Sequence, residues 1–372
     1  MIPLLQRANK WSDRYGPWLY YIAFFLFLVR GNQLYPFIES EYWRWINYAG
    51  VMLCMTRLLL LSPRYPSYAF FCIGLSILMQ LLVKAGCGVE LFKTILLVSC
   101  ARDTNIKKSL LLLIIFYLLQ STVAFILYNL GMTSDIKTHF GLWTGHSYGL
   151  SNPNLLAINL TAFTWCWIMF KKIENLWVLT ILCWSMALVT ELITLGTTCS
   201  ICLVLLPPVY YILKNKIWKI TISPKTMVSL PLIGIFFSIA VAYIVGPDDY
   251  GSSFLSRFSM PYVVYQQYGL NWFGMTDILS PRLPSSENPD PLFIDNLYLS
   301  FFLVNGIIAG SIYLAFYLFS LYTIGKKNNP MLHAITLCFL LMAFMEIYVD
   351  NVYYNFTFLY IWNTSTSNQW DS

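Results

Sequence analysis

Long apolar runs separated by short polar breaks dominate the chain. They fall at 18–37, 45–61, 67–83, 86–101, 109–130, 154–170, 176–194, 198–213, 227–246, 297–323 and 331–349, with a shorter run at 352–362. Most approach or exceed what a helix rising 1.5 Å per residue needs to cross roughly 30 Å of hydrocarbon. None alternates with the period of two that a barrel strand would show, and only helices and closed barrels satisfy their own backbone in lipid. The pattern predicts an all-α polytopic membrane protein, one integral membrane domain over 1–372 with about eleven or twelve spans.

Composition agrees with a lipid bilayer as the main solvent: 58% of residues are apolar, 11% are charged and the mean hydropathy is +0.61. A soluble domain of this length would carry far more surface charge. The first run follows Arg7, Lys10 and Arg14 and has no small-residue cleavage site after it, so it is expected to stay as the first span. With the N-terminus in the cytoplasm, the alternation of spans collects Arg64, Arg102, Lys107, Lys108, Lys171, Lys172, Lys214, Lys216, Lys219, Lys225, Lys326 and Lys327 on the inner side. Glu39, Glu41, Asp135, Asp248, Asp249, Asp277, Glu287, Asp290, Asp295 and Asp350 fall outside. Basic residues concentrate in cytoplasmic loops, so this orientation at a plasma membrane is expected, and the net charge of +6 reflects topology rather than a nucleic-acid partner. Of nine cysteines only Cys199 and Cys202 have CxxC spacing; without a second pair or a nearby histidine they imply neither a metal nor a redox site.

Two outer loops, 131–153 and 247–296, carry most of the polar chemistry. The first contains "GHSYGLSNPN", 145–154, with His146 beside the earlier His139. A histidine there can exchange a proton near neutral pH, or be only a polar side chain in a wet loop. Asn152 and Pro153 suit a helix start, with Asn154 facing into the bundle; "GHSYG" has no such explanation. In the second loop, apolar residues of "FLSRFSMPYVVYQQYGLNWFG" recur at nearly helical spacing, and Tyr262, Tyr265, Tyr268 and Trp272 form an aromatic stripe. This predicts an amphipathic interfacial helix. Arg257 stands near its start, where a cation is disfavoured by the helix dipole unless an anion joins it; the competing reading is an arginine reaching to lipid headgroups.

Among the acids, Asp295 opens "DNLYLSFFLVNGIIAG" as a site residue or helix cap, Glu191 lies near the outer end of its span, and Glu346 is the deepest. Intramembrane carboxylates are costly unless paired, so Glu346 is a candidate partner for an arginine. Arg30 and Lys93 are candidate counter-ions, and Asn305, Gly306 and Gly310 fit close helix packing. The short inner loops contain no phosphate-cradling glycine motif.

Taken in order, these motifs resemble the Wzy-type polysaccharide polymerases of Gram-positive bacteria, which build capsule and exopolysaccharide. "GHSYGLSNPNLLA" resembles that family's "HSLGFSNPN", and "SCARDTNIKKSLL" its basic cytoplasmic loop. "FLSRFSMPYVVYQQYGLNWFG" resembles its second large outer loop, "IDNLYLSFFLVNGII" its "DNSYLYLLLNYGII", and the run from Glu346 through "YNFTFLY" its last helices. Together they cover most of 101–360. The resemblance implies a fold like that of the O-antigen ligases and other membrane glycosyltransferases of the GT-C type. It also implies metal-independent, cofactor-free glycosyl transfer on the outer leaflet, from one undecaprenyl-pyrophosphate-linked oligosaccharide to the sugar hydroxyl of another.

On that resemblance Arg257 would hold the leaving pyrophosphate, with Arg282 or Lys137 as helpers. His146 or an acid such as Glu346 would position or deprotonate the acceptor hydroxyl. Asn152, Asn154, Tyr262, Tyr265, Arg282, Asp295 and Asn296 would contact substrate, and a chain-length regulator and a flippase would be partners. One departure stands out: "LGTTCSI", 196–201 with the preceding Leu195, lacks the arginine of a "T-x-S-R" type motif. A glycan ligase with a different acceptor and a lipid-linked oligosaccharide flippase are the rival readings. A transporter would require broken helices or charges near the midplane.

Overall fold

Local chemistry sets where the helices begin. Asn105, Asn152, Asn175, Ser223, Asn296 and Asn329 each precede a helix and accept a hydrogen bond from one of its first backbone N–H groups. Proline stands in the first turn of four helices, where its missing N–H costs nothing. The computed structural model of the protein describes residues 2–30, 42–140, 143–217, 222–247, 254–275 and 294–362. The helices are α1 (Ile2–Arg30), α2 (Tyr42–Leu61), α3 (Pro66–Lys84), α4 (Val89–Cys100), α5 (Ile106–Asn129), α6 (Pro153–Lys171), α7 (Leu176–Thr194), α8 (Thr197–Lys214), α9 (Pro224–Val245), α10 (Ser256–Tyr268), α11 (Leu297–Leu303), α12 (Gly306–Gly325) and α13 (Pro330–Met342). Between α5 and α6 an antiparallel hairpin pairs β1 (Lys137–Phe140) with β2 (Trp143–His146), Lys137 opposite His146.

Among the described residues seven helices, α3, α5–α9 and α12, are long and apolar enough to cross a membrane, the pattern of an all-α, multi-pass membrane protein. The sixth helix is the axis of its half of the bundle: 72% of its most apolar window is buried, against 22–44% for the others. Its neighbours α5, α7, α8 and α13 surround it. The hairpin, α10, the last turn of α11 and the starts of α4, α6, α8 and α12 gather at one end, called here the loop end.

Four boundaries differ from those the hydropathy pattern predicts. The first helix starts at Ile2 rather than 18, because Leu, Gln, Arg, Ala and Lys in its first turns are good helix formers. The run 297–323 is two helices: the chain breaks at Val304–Asn305 and restarts at Gly306 with φ +76. The run 331–349 is helical only to Met342, and Glu346 is extended at φ −138, ψ 119 ahead of a 3₁₀ turn at Ile347–Asp350. The short run 352–362 is no helical span but a buried irregular segment with a 3₁₀ turn at Phe356–Tyr360.

Non-helical backbone survives at such depth only where the protein itself supplies partners. Segment 351–362 descends along α4: Asn351 Nδ2 donates to Glu90 Oε2 at 3.0 Å, Val352 N to Thr94 Oγ1 at 3.2 Å, and Trp362 Nε1 to Val98 O at 2.7 Å. Its foot is held where the Arg102 guanidinium lies over Tyr65, Tyr68 and Trp362. Leu297 N, the first of α11, donates to Ala343 O, just past the end of α13, at 2.9 Å. The helix α11 then runs back along α12 and α9, with Gly310 against Phe301 O and Asn296 Nδ2 donating to Ser238 Oγ at 3.2 Å. Ser238 lies seven residues before the end of α9, about 10 Å along its axis, so α11 starts well below the loop end.

The α11–α12 break is itself docked. Segment 271–275 supplies Met275 N to Val304 O at 2.8 Å and accepts Ile307 N on Asn271 O at 2.9 Å. Gly86, Gly274 and Gly306 let three backbones meet there, and Asn305 bridges them, accepting from Gly88 N at 3.0 Å and donating to Ser300 O at 3.2 Å. Asn305 and Gly306 therefore seat a chain break rather than a helix seam, while Gly310 serves close packing as expected.

A methyl at Gly274 would fall well inside van der Waals contact of Gly86 O and overlap Cys87 Cα, both backbone, whereas one at Gly74 of α3 meets nothing within 4 Å. Gly274→Ala should therefore destabilise the protein by about 1–3 kcal/mol and lower its unfolding midpoint in detergent. Gly74→Ala should leave the midpoint unchanged or raise it slightly.

Candidate functional site

The hairpin explains "GHSYG" residue by residue. Gly145 lies against Thr194 O at the end of α7, with no room for a side chain. His146 ends β2 and turns its Nδ1 to Asp135 Oδ2 at 2.5 Å. The other oxygen, Asp135 Oδ1, accepts from Ser147 N at 2.9 Å and Tyr148 N at 3.0 Å. Ser147 closes the loop through Ile136, with Ser147 N donating to Ile136 O at 3.1 Å and Ile136 N to Ser147 Oγ at 2.9 Å. Tyr148 adopts φ +45, which stacks its ring on the His146 imidazole, centroids 5.3 Å apart. Gly149, at φ +90, faces Ala124 O and Thr133 Oγ1 so closely that only glycine fits. Asn152 then caps α6, accepting from Asn154 N at 2.8 Å, and Asn154 is half-buried in its first turn.

This is a carboxylate–histidine pair. Burial pushes the Asp135 carboxyl up, but the His146 side chain and the Tyr148 and Ser147 N–H groups outweigh it and hold the carboxyl below the usual carboxylate range. An ionised Asp135 favours the proton on Nδ1, which in a neutral ring places the lone pair on Nε2. The arrangement can orient a base for a hydroxyl proton. Asp135 is the partner that sequence reasoning missed; it stood there only as an outer-loop acid, eleven residues from His146 with no periodicity linking them.

The second constellation lies on α10 and α11. Arg257, the second residue of α10, pairs through Nη1 with Asp295 Oδ2, the two side chains 12% and 15% exposed. Its charge is thus met by a carboxylate of the same chain. Asp295 is not the cap of α11: that is Asn296, fully buried, which accepts from Leu299 N at 3.2 Å. The tyrosine stripe divides: Tyr262 is half-buried with its ring edge on Tyr243, 5.6 Å between centroids, while Tyr265, Tyr268 and Trp272 are exposed. The face of α10 that packs inward is Phe258, Pro261 and Val264. Phe258 and Val264 share a small core with Ala242, Met275, Ile294, Leu299 and Leu303, separate from the main one.

Glu346, just past the early end of α13, is buried near the Cys199 and Cys202 thiols of α8. That helix begins at Gly196 under the hairpin, and Phe344 packs its ring on Tyr298 of α11, centroids 4.8 Å apart. Glu191 accepts from Thr197 Oγ1 at 3.0 Å. Lys93, foreseen as a counter-ion, pairs with Glu90 at 2.6 Å, and Glu90 also holds Asn351. Cys202 and Cys338 are buried thiols facing each other's backbone carbonyl at 3.6 Å. Among the described residues no three His, Cys, Asp or Glu side chains come together to hold a metal. Lys137 is exposed on β1, whereas Arg282 and the side chains of His139 and Arg30 lie outside the described residues.

Comparison with protein-family models, curated proteins and solved structures finds no match for this chain.

Asp135→Ala should leave the Tyr148 N–H unpaired and the Ser147 N–H with Ile136 O alone, and loosen the hairpin by about 1–3 kcal/mol, seen as faster amide exchange over 135–150. Because the folded carboxyl is held low, its contribution is present above the ordinary carboxylate pKa of about 3.9 and is lost as pH falls through the lower folded value. Protection factors there should hold from neutrality to about pH 5 and drop below about pH 4. Asp135→Asn should start lower and lack the acid drop.

Proposed function

We propose that the chain polymerises undecaprenyl-pyrophosphate-linked oligosaccharide repeats into a surface polysaccharide, on the outer face of the plasma membrane and with its N-terminus in the cytoplasm. The observation that carries this reading is the shared position of the two constellations. An arginine paired within the chain and a carboxylate-oriented histidine both stand at the loop end of an apolar bundle.

In the reaction, the hydroxyl of one lipid-linked repeat attacks the anomeric carbon of the glycan on the carrier. The new glycosidic bond forms as the bond to pyrophosphate breaks. The hydroxyl proton goes to a base and the negative charge to the leaving pyrophosphate. Arg257 neutralises that charge with its planar set of donors. His146, held by Asp135, accepts the proton at Nε2. The exposed aromatic rings of α10 and the following residues, Tyr265, Tyr268 and Trp272, suit both a sugar face and the headgroup layer. A ligase that hands the glycan to another acceptor would use the same donor chemistry.

A transporter for the same lipid-linked glycan is the second reading. The interrupted α11–α12 pair and the early end of α13, meeting at Leu297 and Ala343, favour it.

Glycan length in cells tests these readings. A deletion strain should accumulate single repeats on the lipid carrier, and wild type should restore long polymer. Arg257→Ala at equal membrane level should fail to do so, and His146→Ala should lengthen chains more slowly by about a hundredfold or more, the range for loss of a general base. Full-length polymer in the deletion strain would end the polymerase reading. Loss of outer-leaflet repeats, with repeats retained inside, would turn it to transport.

A further inference from the structure

We propose that a monovalent cation of the sodium class binds beneath the hairpin, where α6, α7 and α8 bring buried oxygens together. The inference goes beyond the polymerase reading and does not depend on it.

Small residues let the three helices approach at the start of α8. A β-carbon at Gly196 would press on Ala157 of α6 and reach Thr190 of α7. From Ala157 to Thr161 and from Gly196 to Ser200 is four residues, about 6 Å further into the bundle on the same helix face. Thr161, Thr190 and Ser200 thus lie within about one turn of each other in depth, and all three are buried. None of their hydroxyls has a hydrogen-bond partner within the chain. Glu191 follows Thr190: its Oε1 accepts from Thr197 Oγ1 at 3.0 Å, while Oε2 is buried and has no partner. Among the described residues that are not exposed, no other carboxylate oxygen is buried in that condition, and Glu191 forms no ion pair. Cys199 connects the two sides, its side chain lying beside Thr161 and near both Glu191 and Glu346.

The chemistry of these groups selects the occupant. A hydroxyl can turn to donate, but an ionised carboxylate only accepts, so Glu191 Oε2 calls for positive charge or a donor. Water would satisfy the hydroxyls and leave the charge unmatched, whereas a cation meets both. The end of α7 and the start of α8 meet here, so their opposite partial charges largely offset and the carboxylates set the sign. Hydroxyl and carboxylate oxygens suit a hard cation. No three acid, histidine or cysteine side chains come together among the described residues, so the second charge of a divalent ion is not met. The hairpin rests on this joint, with Gly145 against Thr194 O, and an ion there would stiffen the support of His146.

The test is the thermal unfolding midpoint of the full-length protein in detergent, in sodium chloride and in choline chloride at equal ionic strength. Choline is too large to enter between packed helices. Sodium should raise the wild-type midpoint by roughly 2–4 °C. Thr161→Val, which keeps the side-chain shape and removes the oxygen, should lose that rise, as should Glu191→Gln. Glu174→Gln, at an exposed acid before the other end of α7, should keep it. Where Thr161→Val does not fold, Ser200→Ala takes its place. Amide exchange over 143–146 should slow in sodium for wild type and Glu174→Gln alone. Equal wild-type midpoints in the two salts would overturn the site and leave its oxygens to water. A sodium rise that persists in either Thr161→Val or Glu191→Gln would put the ion elsewhere and overturn it as well. Neither outcome bears on glycan length in the deletion strain, so failure here is separable from failure of the polymerase reading.

Discussion

Hydrocarbon offers no partner to a backbone N–H or C=O, and the loop end of this protein is organised around that constraint. Two helices, α11 and α13, end inside the bundle, and residues 343–362 are irregular yet mostly buried. Each free end is taken up by another element: Leu297 by Ala343, Val304 by Met275, Val352 by Thr94. Glycines at 86, 274 and 306 are needed because backbone must meet backbone there, and a β-carbon would intrude. Buried Asn296, Asn305, Asn351 and Asn355 do the remaining joining, since an amide side chain can both accept and donate.

The polar groups of the site inherit their positions from this arrangement. Asp295 stands where it does because α11 begins below the loop end, capped by its neighbour and held to α9. Glu346 is extended rather than helical because α13 has already stopped. The histidine pair is placed by the hairpin, which rests through Gly145 on the last turn of α7 and through Gly149 on α5. Small residues around the carboxylate–histidine pair thus fix its orientation from the backbone side, leaving ring stacking by Tyr148 to cover the imidazole face.

The charged groups at the opposite end answer to different physics. Arg64 meets Asp13 and Asp103 at 3.5 and 3.8 Å with side chains 39–69% exposed, an arrangement worth little in water. Arg57, fully buried, donates to Arg102 O just past the end of α4, where the carbonyls carry the helix's partial negative charge. Arg102 in turn lies over three aromatic rings that fasten the foot of the irregular segment. That end is built for anchorage, and the chemistry-bearing pairs stand at the other.

Hydropathy and capping, both local, determined most of the helices, their polarity in sequence and the start of α6 at Asn152–Pro153. Seven apolar helices could be read that way because a span is defined by its own composition. The break at Gly306 could not: Asn305 and Gly306 fit close helix packing equally well in an otherwise apolar run, and the partners that receive the interrupted backbone, segment 271–275, lie elsewhere in the chain. Nor could the partners of the charged groups. His146 and Asp135 are eleven residues apart in a loop, Arg257 and Asp295 thirty-eight residues apart across elements, and Lys93 turned to Glu90 rather than to a distant acid. Periodicity records which face of a segment is apolar, whereas a pairing in three dimensions depends on how separate segments pack, and that the tertiary structure alone decided.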